Sequence, residues 1–341
     1  IYTFKADYAR PMAGGTLGAG IKTSYVFTDN TFDFFDIIQS KEVRNTELSN
    51  QFQYGELVNA AYVTWQRQAG KWNVMAGLRL EHTDSKGELF SIVDLPINEV
   101  DLNYLNLFPS LGLTWAVHDQ HALRLNYSRR LDRPNYQDLN PFEFKLDELT
   151  FEKGNAFLNP QYTHSVALTH TYKHTLNTTL SYSVTNDLIT RITDTLNRDA
   201  TFITYVNLDQ QRTLSLSVSY PFSVVKWWQV YANVTASRTN NQASFEPGKT
   251  IDISATTANV YGQNSFLLPG GYKLELSGWY NAPSLWGGNF RMDAIWSMDI
   301  GLQKKLFGDR ASLKLALSDI FKTNVWHGVS EFGGLYMEVD G

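Results

Sequence analysis

Cysteine is absent from all 341 residues, so the chain builds neither a disulfide framework nor a thiolate metal site. Charge is sparse: Asp, Glu, Lys and Arg together make up 18% of residues, with a formal net charge of −5 and an isoelectric point near 5.8. No basic stripe is present, which argues against a nucleic-acid partner. Long hydrophobic runs are missing too, and no window approaches the ~18 uninterrupted apolar residues that a spanning helix requires. Catalytic signatures are also lacking: there is no Gly-x-Ser-x-Gly elbow, no His-Glu-x-x-His and no phosphate-cradling glycine loop. The chain therefore reads as a non-enzyme without a cofactor. No signal peptide opens it, and Ile1 already stands in an alternating pattern, so Ile1 and Gly341 both read as cuts.

What the chain does have is aromatic residues, 14% of the total, and alternation. A mean hydropathy of −0.29 is that of a soluble protein. A transmembrane β-barrel gives the same average, because lipid-facing and lumen-facing side chains alternate and cancel. Periodicity has to decide.

In Leu17–Thr28, Leu17, Ala19, Ile21, Tyr25 and Phe27 share one face, opposite Gly18, Gly20, Lys22 and Ser24. Strict period-2 alternation over that length signals a strand with two unlike faces. The pattern recurs in Leu57–Gln68, Trp72–Asp84, Leu105–Val117, His121–Arg130, Gln161–Tyr172, Thr175–Thr190, Ala200–Tyr220, Trp228–Ala236, Tyr272–Asn281, Arg291–Leu306 and Arg310–Phe321, and Thr250–Leu268 reads as a further strand in which neither parity is clearly apolar. With Lys5–Arg10 at the start and Phe332–Gly341 at the end, the total is about 14–15 strands. Short turns at Pro11–Gly15, Ala69–Lys71, His118–Gln120, Lys173–His174, Phe222–Lys226, Leu268–Gly271 and Phe307–Asp309 alternate with longer loops. The longer ones are Asp29–Gly55, Ser85–Tyr104, Leu131–Pro160, Asp194–Asp199 and Thr239–Lys249.

Short turns at one end and long loops at the other are the asymmetry of an outer-membrane barrel. Trp65, Trp72, Trp115, Tyr172, Tyr220, Trp227, Trp228 and Phe307 gather beside the short turns. Amphipathic rings prefer the membrane–water interface, whereas the turns of a soluble sandwich need no such girdle. A sheet in lipid keeps no free edge, since unpaired backbone groups in hydrocarbon cost several kcal/mol each. The fold class is thus all-β, an antiparallel transmembrane barrel closed by this chain or by a larger whole. On that reading Leu176, Leu180, Tyr182, Val184, Leu214, Leu216, Trp296, Met298, Ile300, Leu313, Leu315 and Leu317 face lipid, and Asn177, Ser181, Asp299, Gln303 and Lys314 face the lumen.

Between Leu123 and Pro160 the pattern breaks into an excursion rich in proline and asparagine. Its segments Arg129-Arg130-x-x-Arg133-Pro134-x-Tyr136-x-x-Leu139-Asn140-Pro141-Phe142, Glu152-Lys153-Gly154-Asn155 and Asn159-Pro160-Gln161-Tyr162 stand out. With them go Gly77-Leu78-Arg79-Leu80-Glu81, Phe108-Pro109-Ser110-Leu111, Leu268-Pro269-Gly270-Gly271 and Ser318-Asp319-Ile320-Phe321. In this order they resemble the outer-membrane β-barrel family of TonB-dependent receptor-like proteins, of the type abundant in Bacteroidota. The resemblance implies a large barrel of about 22 strands with a plugged lumen, of which residues 1–341 are a C-terminal portion. Plug, first strands and the segment that meets the energy-coupling protein TonB would precede Ile1. It also implies uptake of a nutrient ligand such as a siderophore, oligosaccharide or peptide across the outer membrane of a Gram-negative bacterium. The alternatives are a passive pore, a structural barrel that binds a surface lipoprotein, and, more remotely, an outer-membrane hydrolase.

Within the excursion, Arg129, Arg130, Asp132, Arg133, Asp138, Glu143, Asp147, Glu148 and Glu152 allow two readings. Arginine forks suit an anionic or sugar ligand at the lumen mouth. Interleaved signs instead favour pairing that pins the segment to the wall, with Arg129, Arg130, Arg133 and Asp138 as anchors. Arg133, Tyr136 and Asn140, with Trp286 and Asn289 of the Gly-rich stretch Tyr280–Asn289, are the ligand-binding candidates. His164, His170 and His174 have a superficial metal spacing. His164 and His170 are six residues apart, roughly 20 Å along a strand, and cannot share one ion unaided.

Overall fold

In the computed structural model the described residues are 1–93, 98–146, 148–197, 200–244, 250–308, 310–332 and 335–341. Asp147, Asp199, Asp309 and loop residues 245–249 of the readings above lie outside them. The strands are β1 (Tyr2–Met12), β2 (Gly15–Ile38), β3 (Lys41–Ala69), β4 (Trp72–Ser91), β5 (Glu99–His118), β6 (His121–Asp132), β7 (Glu143–Lys145), β8 (Thr150–Lys153), β9 (Gln161–Tyr172), β10 (Leu176–Asn197) and β11 (Ala200–Val225). They continue as β12 (Trp228–Ser244), β13 (Thr250–Leu268), β14 (Tyr272–Asn281), β15 (Ser284–Trp286), β16 (Phe290–Met292), β17 (Ile295–Leu306), β18 (Ala311–Leu317), β19 (His327–Phe332) and β20 (Leu335–Asp340). One four-residue helix, α1 (Tyr136–Leu139), interrupts them. No described helix is long and apolar enough to cross a membrane.

The hydrogen-bonded order β1-β2-β3-β4-β5-β6-β9-β10-β11-β12-β13-β14-β17-β18 follows the chain, so each strand sits beside its sequence neighbour. Pairing is antiparallel wherever two successive wall strands meet in a hairpin, as in β3 with β4 and β12 with β13. Among the described residues, β1 and β18 stand at the two ends of this path and do not pair with each other. The chain reverses at or beside each expected short turn, except that β11 runs through most of Phe222–Lys226 and turns at Lys226-Trp227. Ala13-Gly14, Lys173-His174 and Phe307-Gly308 have positive φ at both residues, the geometry whose twist matches a β-hairpin.

The expected long loops are shorter than their polarity suggests. β2 and β3 run on through most of Asp29–Gly55 and turn at Gln39-Ser40, both with positive φ. Beyond the hydrocarbon neither face needs apolar residues, so cross-strand polar pairs carry the hairpin: Arg44 Nε to Asp33 at 2.5 Å, Asn45 to Asp36 at 2.9 Å and Gln51 to Asp29 at 2.7 Å. For the same reason β4 and β5 extend into the expected Ser85–Tyr104 loop, β10 extends to Asn197 and β12 to Ser244. Two expected strands are shorter. β18 ends at Leu317, where the Asp319 carboxylate accepts the Thr323 and Asn324 amides and turns the chain. Arg291–Leu306 is divided, with β16 ending at Met292 and β17 starting at Ile295.

The chain forms two compact units. The first comprises Ile1–Leu113, Tyr127–His164 and Thr185–Gln210. Its wall has the apolar side outward: Ile21, Tyr25, Phe27, Leu57, Val63, Leu78 and Leu80 are exposed, whereas Asn50, Thr83 and Ser85 are buried. A soluble fold does the opposite. Its buried core lies where the excursion packs on the other face of the wall, joining Phe52, Tyr54, Leu89 and Val100 to Leu139, Phe142, Ala156 and Leu158.

The second unit comprises Thr114–Asn126, Ser165–Val184 and Gln211–Gly341. The same inversion holds: Leu180, Tyr182, Leu214, Leu216, Trp296, Ile300 and Leu302 are exposed, and Ser265 and Ser297 are buried. Near the short turns Trp227, Trp228 and Phe266 stack, as do Tyr220 and Phe222, and the Lys304 ammonium sits 4.0 Å from the Tyr272 ring centre. A separate sheet of order β15-β16-β19-β20 completes this unit.

Candidate functional site

The excursion is a built structure. Pro134 prevents β6 from continuing as a ladder strand, and Asn135 caps α1 by accepting the Gln137 amide at 3.2 Å. Asn140 closes the turn, its Oδ1 accepting the Phe142 amide at 3.1 Å. Asn155 holds three backbones together. Its amide donates to the Asp138 carbonyl at 2.6 Å, its Nδ2 to the Tyr205 carbonyl at 3.0 Å, and its Oδ1 accepts from Phe157 at 2.9 Å. Asn207 pairs with the Asn159 backbone in both directions at 2.9 Å. β7 and β8 form a small hairpin, and β8 continues in parallel pairing with β11.

The charges are mostly spent on this architecture. The Arg133 guanidinium reaches Glu81 and Thr83, each at 2.9 Å, with Glu56 at 3.7 Å, so its carboxylates come from wall strands β3 and β4. Arg129 donates to the Leu107 carbonyl at 2.7 Å and lies 4.5 Å from the Tyr162 ring centre, so it joins wall strands β5, β6 and β9 to one another and does not touch the excursion. Lys153 pairs with Glu143, Lys145 with Glu148, and Arg191 with Glu152. Arg130 is exposed and has no ion-pair partner among the described residues, so of the three arginines Arg133 is the one that ties the excursion to the wall. Asp138 anchors through its backbone carbonyl. Burial pushes its carboxyl above the usual carboxylate range, with the Glu152 charge adding to the shift and a backbone hydrogen bond at Asn135 opposing it.

A cavity of about 310 Å³ opens in this unit. Phe32, Tyr136, Phe144 and Tyr205 give it aromatic walls, Asn30, Gln137 and Asn140 give it amides, and Asp138, Glu152 and Lys153 give it charge. Tyr136, Asn140 and Asp138, three residues singled out from the sequence, therefore meet at one site, and Arg133 does not line it. The excursion's aromatics could be read from the sequence. Asn30 and Tyr205 could not, because they arrive from strands far apart in the chain. Two carboxylates against one lysine, itself paired, give no cationic fork for an anion. The walls suit a polar, hydroxyl-bearing ligand stacked on rings.

In the second unit Trp286 ends β15 and is 60% exposed, with its ring edge-on to Phe290. Asn289 is only 5% exposed, so a ligand from solvent meets the Trp286 ring and not the Asn289 amide. The loop between them is held by fully buried Asn241, which donates to the Gly287 and Gly288 carbonyls and accepts from Gln211 at 2.9 Å. The histidines take strand partners: His170 lies 3.0 Å from His121, and His164 lies 3.0 Å from the Tyr127 hydroxyl. Among the described residues no group of three or more His, Cys, Asp or Glu is placed to hold a metal ion.

His327 joins β19 to its surroundings through both ring nitrogens, Nδ1 to Asp293 at 2.8 Å and Nε2 to Glu338 at 3.0 Å. The Glu338 and then the Asp293 hydrogen bond raise its pKa above the ordinary imidazole value. A raised folded-state pKa means the link is complete below the unfolded value and is lost as pH rises through the folded one. Amide-exchange protection in β19 and β20, corrected for intrinsic rates, is expected to be full below the ordinary imidazole pKa of about 6.5 and to fall as pH rises above it. His327→Gln is expected to be flat over that range; a parallel decline in both proteins would assign the effect elsewhere.

An inverted, membrane-facing wall of sequential antiparallel strands, with a folded excursion at its long-loop end, defines an outer-membrane β-barrel protein. The chain belongs to the outer membrane protein beta-barrel family, whose model matches residues 1–340, and so to the outer membrane of a Gram-negative bacterium. No curated protein matches the sequence. Among solved structures, the ferric-catecholate import receptor Fiu from E. coli K12 is similar over 99% of this chain and 52% of its own, with a TM-score of 0.68 at 12% identity. The ferric yersiniabactin uptake receptor FyuA from Yersinia pestis is similar over 99% and 51%, with 0.69 at 11%. The siderophore receptor PiuA from Acinetobacter baumannii is similar over 99% and 54%, with 0.67 at 10%. At such identities the likeness is one of fold. The chain spans about half the length of these receptors.

Proposed function

We propose that residues 1–341 are one barrel domain of a TonB-dependent importer, forming the wall and part of the ligand mouth for a nutrient ligand. The carrying observation is the excursion: an ordered segment at the long-loop end that packs on the wall's inner face and leaves a ring-and-amide cavity beside it. The half-length match to import receptors supports a larger barrel of about 22 strands, with a plug and a TonB-contacting segment supplied by sequence outside these residues. The motif set of the excursion supports the Bacteroidota type. Of siderophore, oligosaccharide and peptide, the cavity's chemistry favours a hydroxyl-rich ligand over an anionic one.

The test uses cells carrying the full-length protein and a panel of labelled ferric siderophores, oligosaccharides and peptides. Equilibrium binding and uptake are measured with and without an uncoupler. Uptake of one class is expected to stop on uncoupling while binding persists. Tyr136→Ala is expected to weaken that binding by ~1 kcal/mol, the size of a lost stacking contact, without lowering the amount of folded barrel. Uptake undiminished by uncoupling would identify a passive pore. Capture of a surface lipoprotein with no solute movement would identify a structural barrel.

A further inference from the structure

In the second unit β13, β14 and β17 lie side by side, with Val260, Tyr280 and Trp296 in one row across them and Gly262, Gly278 and Met298 in the next. These rows share the parity of exposed Ile300 and Leu302, so they belong to the lipid-facing side. Two adjacent glycines remove two side chains from that surface and leave a groove of about 450 Å³. Val260, Tyr280 and Trp296 wall one end, and Leu276 and Asn264 the other. The one amide among these walls has its oxygen engaged, Asn264 Oδ1 accepting the Trp228 indole N–H at 3.0 Å.

Depth can be read along β14. Its 10 residues run from Tyr272, beside a short turn, to Asn281, and ~9–11 residues cross the hydrocarbon. Tyr280 and Trp296 therefore stand at the interface remote from the short turns, where amphipathic rings settle. Short turns face the periplasm and long loops the exterior in such barrels, which places the groove in the outer leaflet.

In hydrocarbon no hydrophobic force drives filling, because lipid tails are as apolar as the wall. An empty notch nevertheless leaves its lining atoms without dispersion partners on one side. The filler has to be apolar, narrow and already present along this face. We propose that the groove seats one acyl chain of an outer-leaflet lipid, with the headgroup held at the level of Tyr280 and Trp296. This site is part of the membrane-facing surface and is independent of whether the barrel imports anything.

Gly262→Leu tests it with little risk to the fold, because a Cβ at Gly262 meets no atom within 4 Å, whereas one at Gly278 meets the Ser297 carbonyl at 3.2 Å. The full-length protein is released from nanodiscs of a single phosphatidylethanolamine and examined by native mass spectrometry, with heat-modifiable gel mobility reporting the folded barrel. Wild type is expected to retain one lipid, and Gly262→Leu to retain it several-fold less often at unchanged mobility. Equal retention would overturn the proposal. Should the variant fail to fold, wild type in vesicles of the same lipid with a photoactivatable acyl chain gives the answer. Crosslinks concentrated on residues 260–264, 276–280 and 296–298 support the site, and crosslinks spread evenly round the wall overturn it. An adduct between two copies through these strands would assign the groove to self-association and overturn it as well.

Discussion

Arg133→Ala is expected to free the excursion between β6 and β9 from the wall and to make Leu131–Pro160 protease-sensitive in intact cells. The guanidinium sits between Glu81 at 2.9 Å and Glu56 at 3.7 Å, and both carboxylates are more deeply buried than the arginine. Removing it leaves two desolvated negative charges facing each other, a loss of about 3–5 kcal/mol for a buried pair broken from one side. Because Arg79 also pairs with Glu81, the lower end of that range is the better expectation. Arg133→Lys is expected to recover only part of the loss, since one ammonium cannot meet both Glu81 and Thr83, which Nη2 reaches, and Glu56 on the Nε side, as the planar fork does. Arg130→Ala is expected to leave cleavage unchanged. Equal, wild-type cleavage kinetics for Arg133→Ala would remove Arg133 as the anchor.

Gly154→Val is expected to be comparably damaging by a purely steric route. A Cβ at Gly154 would run into the carbonyl oxygens of Asn140 and Asp138. Those are backbone atoms of the α1 turn, fixed by Asn155 and by the Phe142 amide, so they cannot step aside. Forced overpacking of this kind costs typically 1–3 kcal/mol, and about 3 is expected where the opposing atoms are backbone. The measurement is the same protease protection, supplemented by binding of the ligand class identified in uptake assays. Gly154→Val should lose both because the residue lines the cavity, whereas Arg133→Ala should lose protection first. A Gly154→Val protein with native protection would show that β8 does not need this close approach.

Strand positions within the membrane were legible in the sequence because lipid imposes a strict alternation there. Gln161–Tyr172 and Tyr272–Asn281 have the ends read from the pattern. Strand ends outside the membrane were not legible: in Asp29–Gly55 polar residues occupy both faces, and the turn at Gln39-Ser40 uses neither Gly nor Asn. The excursion's motifs pointed to the anchor and to three residues at the cavity. They could not show that the anchoring carboxylates are Glu56 and Glu81, because salt-bridge partners two or three strands away leave no local spacing. Asn289 misled for a related reason. An amide in a Gly-rich loop has the composition of a binding loop whether it faces solvent or, as here, the loop's own interior.

The central claim is that apolar residues of the wall face lipid and polar ones the lumen. These 341 residues contain no cysteine, so each substitution introduces the one thiol of the wall, and the unsubstituted full-length protein sets the background. Leu180→Cys, Leu214→Cys and Ile300→Cys are to be compared with Ser181→Cys and Gln303→Cys in the full-length protein within native outer membrane. A water-soluble maleimide is expected to label the second set and spare the first, and a lipid-dissolved maleimide is expected to do the reverse. Since adjacent residues on one strand must exchange behaviour, a one-residue register error would invert the result for that strand alone. Labelling of Leu180→Cys, Leu214→Cys and Ile300→Cys by neither reagent, as in a sealed protein core, would contradict the membrane-wall account.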